Sequence, residues 1–438
     1  MLCFVSRSNP SRDVLPVAAR TKFRRRIRHN SRRSSDSPQP LMPTERLAVS
    51  DSSAFRFVLT LGVVNLFADM TYEGGASING QFLGSLGASA AAISIIAGVG
   101  EFLGYSLRSV SGYFADRTGK HWLITFTGYT INLLAVPAMT LAGTWQAAGA
   151  LMLVERVGRA IRKPTIEAML SYSTGKHGKG WVYAVNTAMD ETGATLGPLL
   201  IALALFLRAD FRAGYALLLI SSLLALASLI AARVLFPVPS RLESGGPSTA
   251  RATGFTRSYW LYMVAGACFA AGLMSFELVS YHLSSTGTVT KHWVPIFLAL
   301  ATAGAVVASL ILGRSYDKVG IGAVVVAVVL ASLFSPLVFF GSFWPALAGL
   351  MLWGIGYATQ DTLLKVLIAS VLPEDRRNLA FGLFYLGYGG GWLVGSVTTG
   401  LLYDRARVAL VVFAVVVQLA SLPFFILAAQ GMKNESQL

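Results

Sequence analysis

Long apolar runs recur along this chain from Phe55 almost to its end. A helix rising 1.5 Å per residue needs roughly 20 apolar residues to cross ~30 Å of hydrocarbon. Twelve runs of about that length occur, at 55–77, 88–112, 122–142, 145–168, 181–207, 212–236, 258–283, 292–313, 322–342, 344–368, 378–402 and 408–430. Their hydrophobicity is continuous, whereas a membrane barrel would alternate. The runs predict an all-α membrane protein with twelve transmembrane helices.

The composition excludes several other classes of protein. Hydrophobic residues make up 54% of the 438 residues and charged residues 13%, about half the charged share of a soluble domain. A soluble globular enzyme is therefore excluded. The two cysteines, Cys3 and Cys268, are too far apart in sequence to indicate a redox pair or a metal site. We expect neither a metal nor a cofactor.

The distribution of Lys and Arg predicts the topology. With a cytoplasmic N-terminus, the inside segments after residue 56 hold 19 Lys and Arg and the outside segments hold 5. This asymmetry predicts that both termini are cytoplasmic, in the cell (plasma or inner) membrane. The segment 237–257 is rich in Pro, Gly and Ser, as a flexible linker would be. It divides the chain into six-helix bundles at 55–236 and 258–430, followed by a cytoplasmic tail at 431–438.

The segment 1–54 is basic and is predicted to be disordered. Residues 1–56 hold 12 Lys and Arg against 4 acids. One interpretation is that residues 1–41 are translated sequence upstream of a true start at Met42. The Arg- and Ser-rich stretch at 21–33 also has the composition of an anionic-lipid anchor, a transit peptide or a nucleic-acid patch. We expect membrane lipid as a partner and no nucleic acid.

The two halves of the chain carry matching segments. Gly-Tyr-Phe-Ala-Asp-Arg-Thr-Gly-Lys at 112–120 follows the second run, and Gly-Arg-Ser-Tyr-Asp-Lys-Val-Gly at 313–320 follows the eighth, at a shift of 201. At a shift of 198, Gly158, Gly193 and Gly197 match Gly356, Gly391 and Gly395. Such an internal repeat predicts two pseudo-symmetric bundles.

The first of these segments resembles the signature of the major facilitator superfamily, Gly-x-x-x-Asp-Arg-x-Gly-Arg/Lys between helices 2 and 3. The residues that carry it are Gly112, Asp116, Arg117, Gly119 and Lys120, with a degenerate copy at Gly313, Asp317 and Lys318. The resemblance implies two parallel six-helix repeats and a cytoplasmic gate that latches them together. Independently, Gly112 would allow close helix approach and Gly119 a chain reversal. Any tight cytoplasmic loop favours the same residue types.

Two further segments are similar to motifs of that superfamily. Arg156 resembles the intramembrane arginine of helix 4, although Arg159 and Ala160 replace the usual Gln-Gly. Gly193-x-x-x-Gly197-Pro198 resembles the antiporter motif of helix 5 and favours export. Helix packing through small residues explains the same spacing.

Charged residues within the apolar runs are candidates for a transport pathway. Each costs roughly 2.5–3.5 kcal/mol at the centre of a membrane helix, so a functional role is the first hypothesis. Asp69 and Glu73 share one helix face in the outer part of the first run, and Glu277 lies at the matching depth of the seventh. These three could flank an outward opening and bind protons or a cationic substrate. The alternative is that they are solvated acids at the interface.

Other polar residues complete the predicted pathway. Asp190 and Glu191 lie near the depth of Arg156, which predicts an Arg156–Asp190 pair that either exchanges protons or is a permanent structural contact. Opposite charges on spans 4 and 10 suggest a gate between the halves. The remaining candidates are Glu101, Gln360 and Asp361, with Tyr281 and Tyr385 as hydrogen-bonding groups.

The sequence thus predicts a secondary active transporter of a small organic solute, working by alternating access, with protons as the coupling ion and a lean to efflux. An uptake symporter for a metabolite such as a sugar or amino acid is the alternative, and a transport-dead sensor or scaffold is more remote. The five histidines are scattered and no HExxH or GxSxG occurs, so an enzyme is not expected. Six plus six helices suffice for a monomeric transporter.

Overall fold

The computed structural model describes residues 51–171, 179–208, 210–238, 255–370 and 377–435. All of the regular structure in these ranges is helical. Most of the predicted basic segment, most of the predicted linker and the last three residues of the tail lie outside them, as does the side chain of Asp116.

Each of the twelve predicted apolar runs coincides with one helix, some of which are interrupted. The helices are α1 (Asp51–Ser85), α2 (Ala90–Thr118), α3 (His121–Ala138, continued by the 3₁₀ turn Met139–Leu141), α4 (Trp145–Ser171), α5 (Lys179–Arg208), α6 (Phe211–Leu235), α7 (Arg257–Leu273 and Phe276–Ser285), α8 (Trp293–Val319), α9 (Ile321–Ser332 and Phe334–Phe340), α10 (Phe343–Ala358, the π-helical Thr359–Leu364 and Lys365–Ser370), α11 (Arg377–Arg405) and α12 (Arg407–Glu435). Within the described ranges, the prediction of twelve helices is confirmed.

The helices run antiparallel from one to the next, so the bundle has two faces. We call the face where α1 begins and α12 ends the terminal face, and the other the opposite face. The Phe57 ring near the start of α1 packs edge-on to Phe236 just after α6, at 5.0 Å between centroids. Gly431 of α12 likewise contacts Ser258 at the start of α7. Even-numbered helices therefore end at the terminal face.

Eight of the described helices are long and apolar enough to cross a membrane by composition. The other four are α1, α4, α10 and α11. Three of these carry charges within their length, among them Asp69 in α1, Arg156 in α4 and Asp361 in α10. Surrounding helices can shield such charges from lipid.

Glycines bring helix backbones together at symmetric places in the two halves. A Cβ at Gly193 or Gly197 of α5 would overlap the carbonyl oxygens of Leu66 and Met70 in α1. In the other half, Gly391 and Gly395 of α11 meet the carbonyl oxygens of Ala267 and Ala271 in α7 in the same way. The packing interpretation of the Gly-x-x-x-Gly motif is supported, and the repeat in the sequence is a repeat in structure.

The two halves contact each other chiefly along three helix pairs: α2 with α11, α5 with α8, and α1 with the second segment of α7. Small residues again set the distance. A Cβ at Gly98 of α2 would lie 2.6 Å from the Ser396 Cβ, and one at Gly400 of α11 would lie 2.7 Å from the Ser94 Cβ.

Helix α7 is interrupted between Leu273 and Phe276. Met274 adopts a φ of 56°, which is unusual for a residue with a side chain. Its carbonyl oxygen accepts a hydrogen bond of 3.2 Å from the indole Nε1 of Trp353 in α10. The second segment begins afresh and carries Glu277 in its first turn. The interruption therefore sets the direction of the Glu277 side chain.

Candidate functional site

Arg156, near the middle of α4, contacts three carboxylates. Its Nη1 lies 3.1 Å from Glu101 Oε1 in α2, and its Nη2 donates to Glu277 Oε1 in α7 at 3.2 Å. Its Nε lies 3.5 Å from Glu155 Oε2. The Arg156 side chain is 11% exposed and that of Glu277 5%. The Arg156–Glu277 pair joins the two halves of the protein, and no other ion pair between described residues does so.

Glu155 is held in place by its own partners. Arg159 donates to its Oε1 from Nη2 at 2.7 Å and from Nε at 3.0 Å. Asn132 of α3 donates to the same oxygen at 2.7 Å. The guanidinium of Arg159 also lies over the Tyr72 ring of α1, 3.9 Å from its centroid, a cation–π contact. Together, Glu101, Glu155, Arg156, Arg159 and Glu277 form what we call the central cluster.

A second polar group lies nearer the terminal face of the first half. Arg162 Nη2 is 3.8 Å from Asp69 Oδ1, and its guanidinium lies 4.4 Å from the centroid of the Tyr129 ring. A chain of hydrogen bonds continues from the Tyr129 hydroxyl through Asn65 and Asn186 to Asp190 Oδ2. Asp190 Oδ1 is buried and has no hydrogen-bond partner among the described residues.

Two sequence predictions about these charges are wrong. Arg156 pairs with Glu101, Glu155 and Glu277, not with Asp190, because depth along antiparallel helices does not fix which way each side chain faces. Glu277 is buried against Arg156, so the alternative of a solvated interfacial acid is wrong. Its predicted place at an outward opening stays a prediction, because α1 and α7 are in contact there in this structure.

The remaining predicted acids of the first half lie at the edges of these two groups. Glu73 is half-buried and makes no hydrogen bond or ion pair to another described residue, but it interacts electrostatically with Arg159 and Arg156. Glu191 is half-buried, within electrostatic range of Asp361 in the other half. Asp69 is buried beside Arg162 and so is not interfacial.

In the second half, Gln360 connects α10 to α2 and α11. It lies in the π-helical stretch of α10, a deviation often found at functional sites. Its Nε2 donates to the Tyr105 hydroxyl and its Oε1 accepts from the Tyr388 hydroxyl, each at 2.7 Å. The Tyr385 ring stacks on Tyr105, 5.5 Å between centroids.

The predicted charge gate between spans 4 and 10 has no direct ion pair among the described residues. Asp361 pairs at 3.1 Å with Lys365, one turn along its own helix, and both side chains are about half exposed. The charges on this part of α10 are therefore satisfied locally and face solvent on the side of the terminal face.

The signature loops are less intimately packed than predicted. A Cβ at Gly112 would lie 3.5 Å from Pro164 Cβ, and one at Gly313 would lie 3.7 Å from Thr362. Both are ordinary van der Waals distances. The prediction that Gly112 permits unusually close helix approach is therefore wrong. Gly119 has a φ of 64° and ends α2, so it does permit the reversal into α3. Arg117 donates to the Tyr113 hydroxyl of its own helix at 3.1 Å. Lys120, Asp317 and Lys318 are exposed.

The opposite face is closed where α1 meets α7. A Cβ at Gly80 would overlap the carbonyl oxygen of Glu277, and one at Gly84 would lie 2.7 Å from the Tyr281 ring. Tyr281 packs here, edge-on to Tyr403 at 5.8 Å, rather than in an open pathway. Lys291, in the loop after α7, lies 5.3 Å from the Phe211 ring centroid of α6. The structure is thus closed at the opposite face.

The sequence did not predict the roles of several residues in the site, although Arg162 was among the charges of span 4 expected to oppose span 10. Arg159 and Arg162 follow Arg156 at intervals of three, which places all three on one side of α4, and that spacing was a usable signal. Tyr72, Asn132 and Tyr129 carried no signal, since aromatic and amide side chains are common in membrane helices. No group of three or more His, Cys, Asp and Glu in the described ranges is arranged to hold a metal ion.

Sequence comparisons relate this chain to a transporter superfamily and to two uncharacterized proteins. A sequence model of the Major Facilitator Superfamily matches residues 278–437. An uncharacterized protein of Mycobacterium tuberculosis is 34% identical over 376 residues, covering 84% of this chain and 92% of that protein. An uncharacterized MFS-type transporter of Methanocaldococcus jannaschii is 24% identical over 373 residues, covering 81% of this chain and 90% of that one.

Solved transporter structures share the fold at low sequence identity. A mutant of the nucleoside transporter NupG superposes with a TM-score of 0.69 at 12% identity, covering 84% of this chain and 100% of that chain. The peptide transporter POT in complex with sulfate superposes with a TM-score of 0.70 at 14% identity, covering 86% and 94%. With its repeated six-helix halves, its signature loops and these relatives, the chain belongs to the major facilitator superfamily of membrane transporters.

Proposed function

We propose that this protein is a proton-coupled secondary transporter of a small organic solute that works by alternating access, with a lean to efflux. The observation that carries this proposal is the buried Arg156–Glu277 pair, which joins the two halves beside the closed opposite face. A contact that both stores charge at membrane depth and spans the moving interface can couple proton binding to rearrangement of the halves.

The coupling follows from electrostatics. In the closed structure, the Glu277 carboxylate is neutralised by Arg156 at 3.2 Å. If the halves separate at the opposite face, this carboxylate loses its partner while still at membrane depth, where an uncompensated charge is costly. Binding a proton removes that cost. The open state therefore favours protonated Glu277, and the return to the closed state favours release of the proton.

Asp190 is a second proton-binding candidate in the proposed cycle. One of its carboxylate oxygens is buried without a partner among the described residues, and the other accepts only from the Asn186 amide. The one ion pair of Asp69 in the described part of the chain is a long one, 3.8 Å to Arg162. Neither acid is as tightly neutralised as Glu155, which we therefore assign a structural role.

The proposed orientation puts the terminal face in the cytoplasm of the cell, so this structure is closed on its outer side. The excess of Lys and Arg on that side supports it, as does the exposure of Asp361 and Lys365 there. Within the monomer, α1 and α7 would separate at the opposite face while α4 and α10 approach at the terminal face.

The proposal is tested by solute-driven proton movement in proteoliposomes. Wild type is compared with Glu277→Gln and Asp190→Asn, with Asp404→Asn as a control because Asp404 is exposed at the end of α11. We expect at least one solute to move protons in wild type and in the control, and Glu277→Gln to abolish this flux.

The sign of the flux separates the two directions of coupling. Solute and protons moving in opposite directions mean antiport and support efflux, whereas movement in the same direction means symport, the uptake alternative. If solute moves without protons and Glu277→Gln behaves as wild type, proton coupling by this residue is wrong. A correctly folded protein that moves no solute would favour the sensor or scaffold.

A further inference from the structure

Aromatic side chains of the second half form a wall beside the central cluster. The Trp353 and Tyr357 rings of α10 lie 4.2 Å apart between centroids. Tyr357 lies 6.0 Å from Trp392 of α11, which in turn lies 6.0 Å from Tyr388. Phe276 of α7 adjoins Trp353 at 5.8 Å. The transport mechanism proposed above uses none of these rings.

Tyr357 is the accessible member of this wall, and it lies within electrostatic range of the charges. Trp353, Trp392 and Tyr388 are 3% exposed or less, whereas Tyr357 is only half-buried. Its hydroxyl makes no hydrogen bond to another described residue, yet it interacts electrostatically with Glu101, Glu277 and Arg156. An apolar, electron-rich surface therefore adjoins the carboxylates.

The central cluster holds more negative than positive charge. Three carboxylates, Glu101, Glu155 and Glu277, face the two guanidinium groups of Arg156 and Arg159, so one negative charge is in excess. Glu73, without an ion-pair partner in the described part of the chain, adds a second. Of the three clustered acids, Glu101 is the most accessible, with a side chain 19% exposed against 5% for Glu277. Excess negative charge at this depth calls for a cation.

A buried donor in the wall also lacks a partner. Trp392 is 2% exposed, and its indole Nε1 has no hydrogen-bond acceptor among the described residues. A buried N–H without an acceptor costs about 1–3 kcal/mol. A polar atom on a bound solute that reached this nitrogen would remove that cost.

We propose that the transported solute is an organic cation with an apolar body, bound between the central cluster and the aromatic wall. Its positive charge lies at Glu101, and its body lies against the face of Tyr357, where cation–π attraction adds to apolar contact. This assignment rests on the proposed transport function. An anion is disfavoured because Arg156 and Arg159 already have carboxylate partners within 3.5 Å.

The probe is tetraphenylphosphonium, compared with tetraphenylborate, which has the same shape and the opposite charge. Binding of each radiolabelled ion to the purified protein is measured by equilibrium dialysis, with detergent-only dialysis subtracted. We expect saturable binding of the phosphonium and none of the borate. Glu101→Gln weakens phosphonium binding by about tenfold or more, and Tyr357→Leu weakens it by about tenfold. Tyr357→Phe retains most of the affinity for the phosphonium.

Two variants away from the site serve as controls. Asp404→Asn removes an exposed carboxylate, and Trp344→Phe alters a tryptophan that is 73% exposed. Both leave phosphonium binding unchanged. Equal binding of the two ions overturns the proposal, as does unchanged affinity in both Glu101→Gln and Tyr357→Leu. If Glu101→Gln does not fold, two comparisons still test the proposal. One is phosphonium affinity in Tyr357→Leu against Tyr357→Phe, and the other is binding of the phosphonium against the borate.

Failure of this assignment differs from failure of the transport function. If a neutral or anionic solute drives proton flux in proteoliposomes and Glu277→Gln abolishes it, while tetraphenylphosphonium does not bind, the solute class is wrong and the coupled transporter stands. If tetraphenylphosphonium binds as expected but neither it nor any other solute moves, the site stands and transport is wrong.

Discussion

Closure of the opposite face depends on the absence of a side chain at Gly80. A Cβ there would overlap the Glu277 carbonyl oxygen and lie 2.8 Å from the carbonyl carbon. The obstacle is backbone, which cannot rotate away as a side chain can. Gly80→Ala must therefore push α1 and the second segment of α7 apart.

The size of the effect follows from the packing. Inserting a methyl group into a close-packed contact costs about 1–3 kcal/mol. This cost falls only on the state in which α1 touches α7, because the contact is absent once the halves separate there. The ratio of open to closed molecules at the opposite face should therefore rise by about 5- to 150-fold.

Distances between spin labels on the two halves measure this ratio. Ser85 at the end of α1 and Ser285 at the end of α7 are both exposed and lie near the contact. Each is replaced by Cys and labelled, in a background in which Cys3 and Cys268 are Ala. Gly80→Ala should add a population at longer distance to the distribution recorded by pulsed electron resonance.

Gly104→Ala in α2 is the matched control, because a Cβ there would have no atom within 4 Å. It should leave the distance distribution as in wild type. If Gly80→Ala and Gly104→Ala give the same distribution and the same melting temperature, α1 and α7 do not close this face by backbone contact, and the proposed gate is wrong.

Three further substitutions test the packing and charge arguments. Arg156→Gln leaves the three carboxylates of the central cluster with Arg159 as their only positive partner. We expect it to lower the free energy of unfolding, measured by thermal unfolding in detergent, by about 3–5 kcal/mol. A combined Arg156→Gln and Glu277→Gln variant should recover part of that loss. Gly197→Ala should cost about 1–3 kcal/mol in the same assay because its Cβ would overlap the Met70 carbonyl, and a loss as small as that of Gly104→Ala would contradict the α1–α5 contact. Gly119→Ala should cost about 1 kcal/mol through its left-handed φ of 64°, and unchanged stability would mean that the turn can relax.

Helix number and the repeat could be predicted because both depend on local sequence. Apolar length decides whether a segment crosses a membrane, and the glycines at 193, 197, 391 and 395 occupy the same register in each half. In the structure, these glycines make the same kind of backbone contact in both halves. These features need no knowledge of neighbouring helices.

The partners of the buried charges could not be predicted in the same way. Arg156 and Asp190 lie at similar depths, but a side chain's partner also depends on the rotation of each helix about its axis. Glu277 reaches Arg156 because α7 is interrupted at Met274, where no proline marks the break. The π-helical stretch that directs Gln360 towards Tyr105 likewise leaves no trace in the sequence.

The glycine contacts between α1 and α5, and between α7 and α11, join backbone to backbone. These contacts involve no large side chain of either helix, so side chains on the other faces of these helices can change without altering them. In the proposed alternating access, the residues that face the solute can therefore diverge between relatives while each half moves as a rigid body. On the proposed function, a few mutations in the solute-facing residues can change the substrate while the helix contacts that hold each half together stay the same.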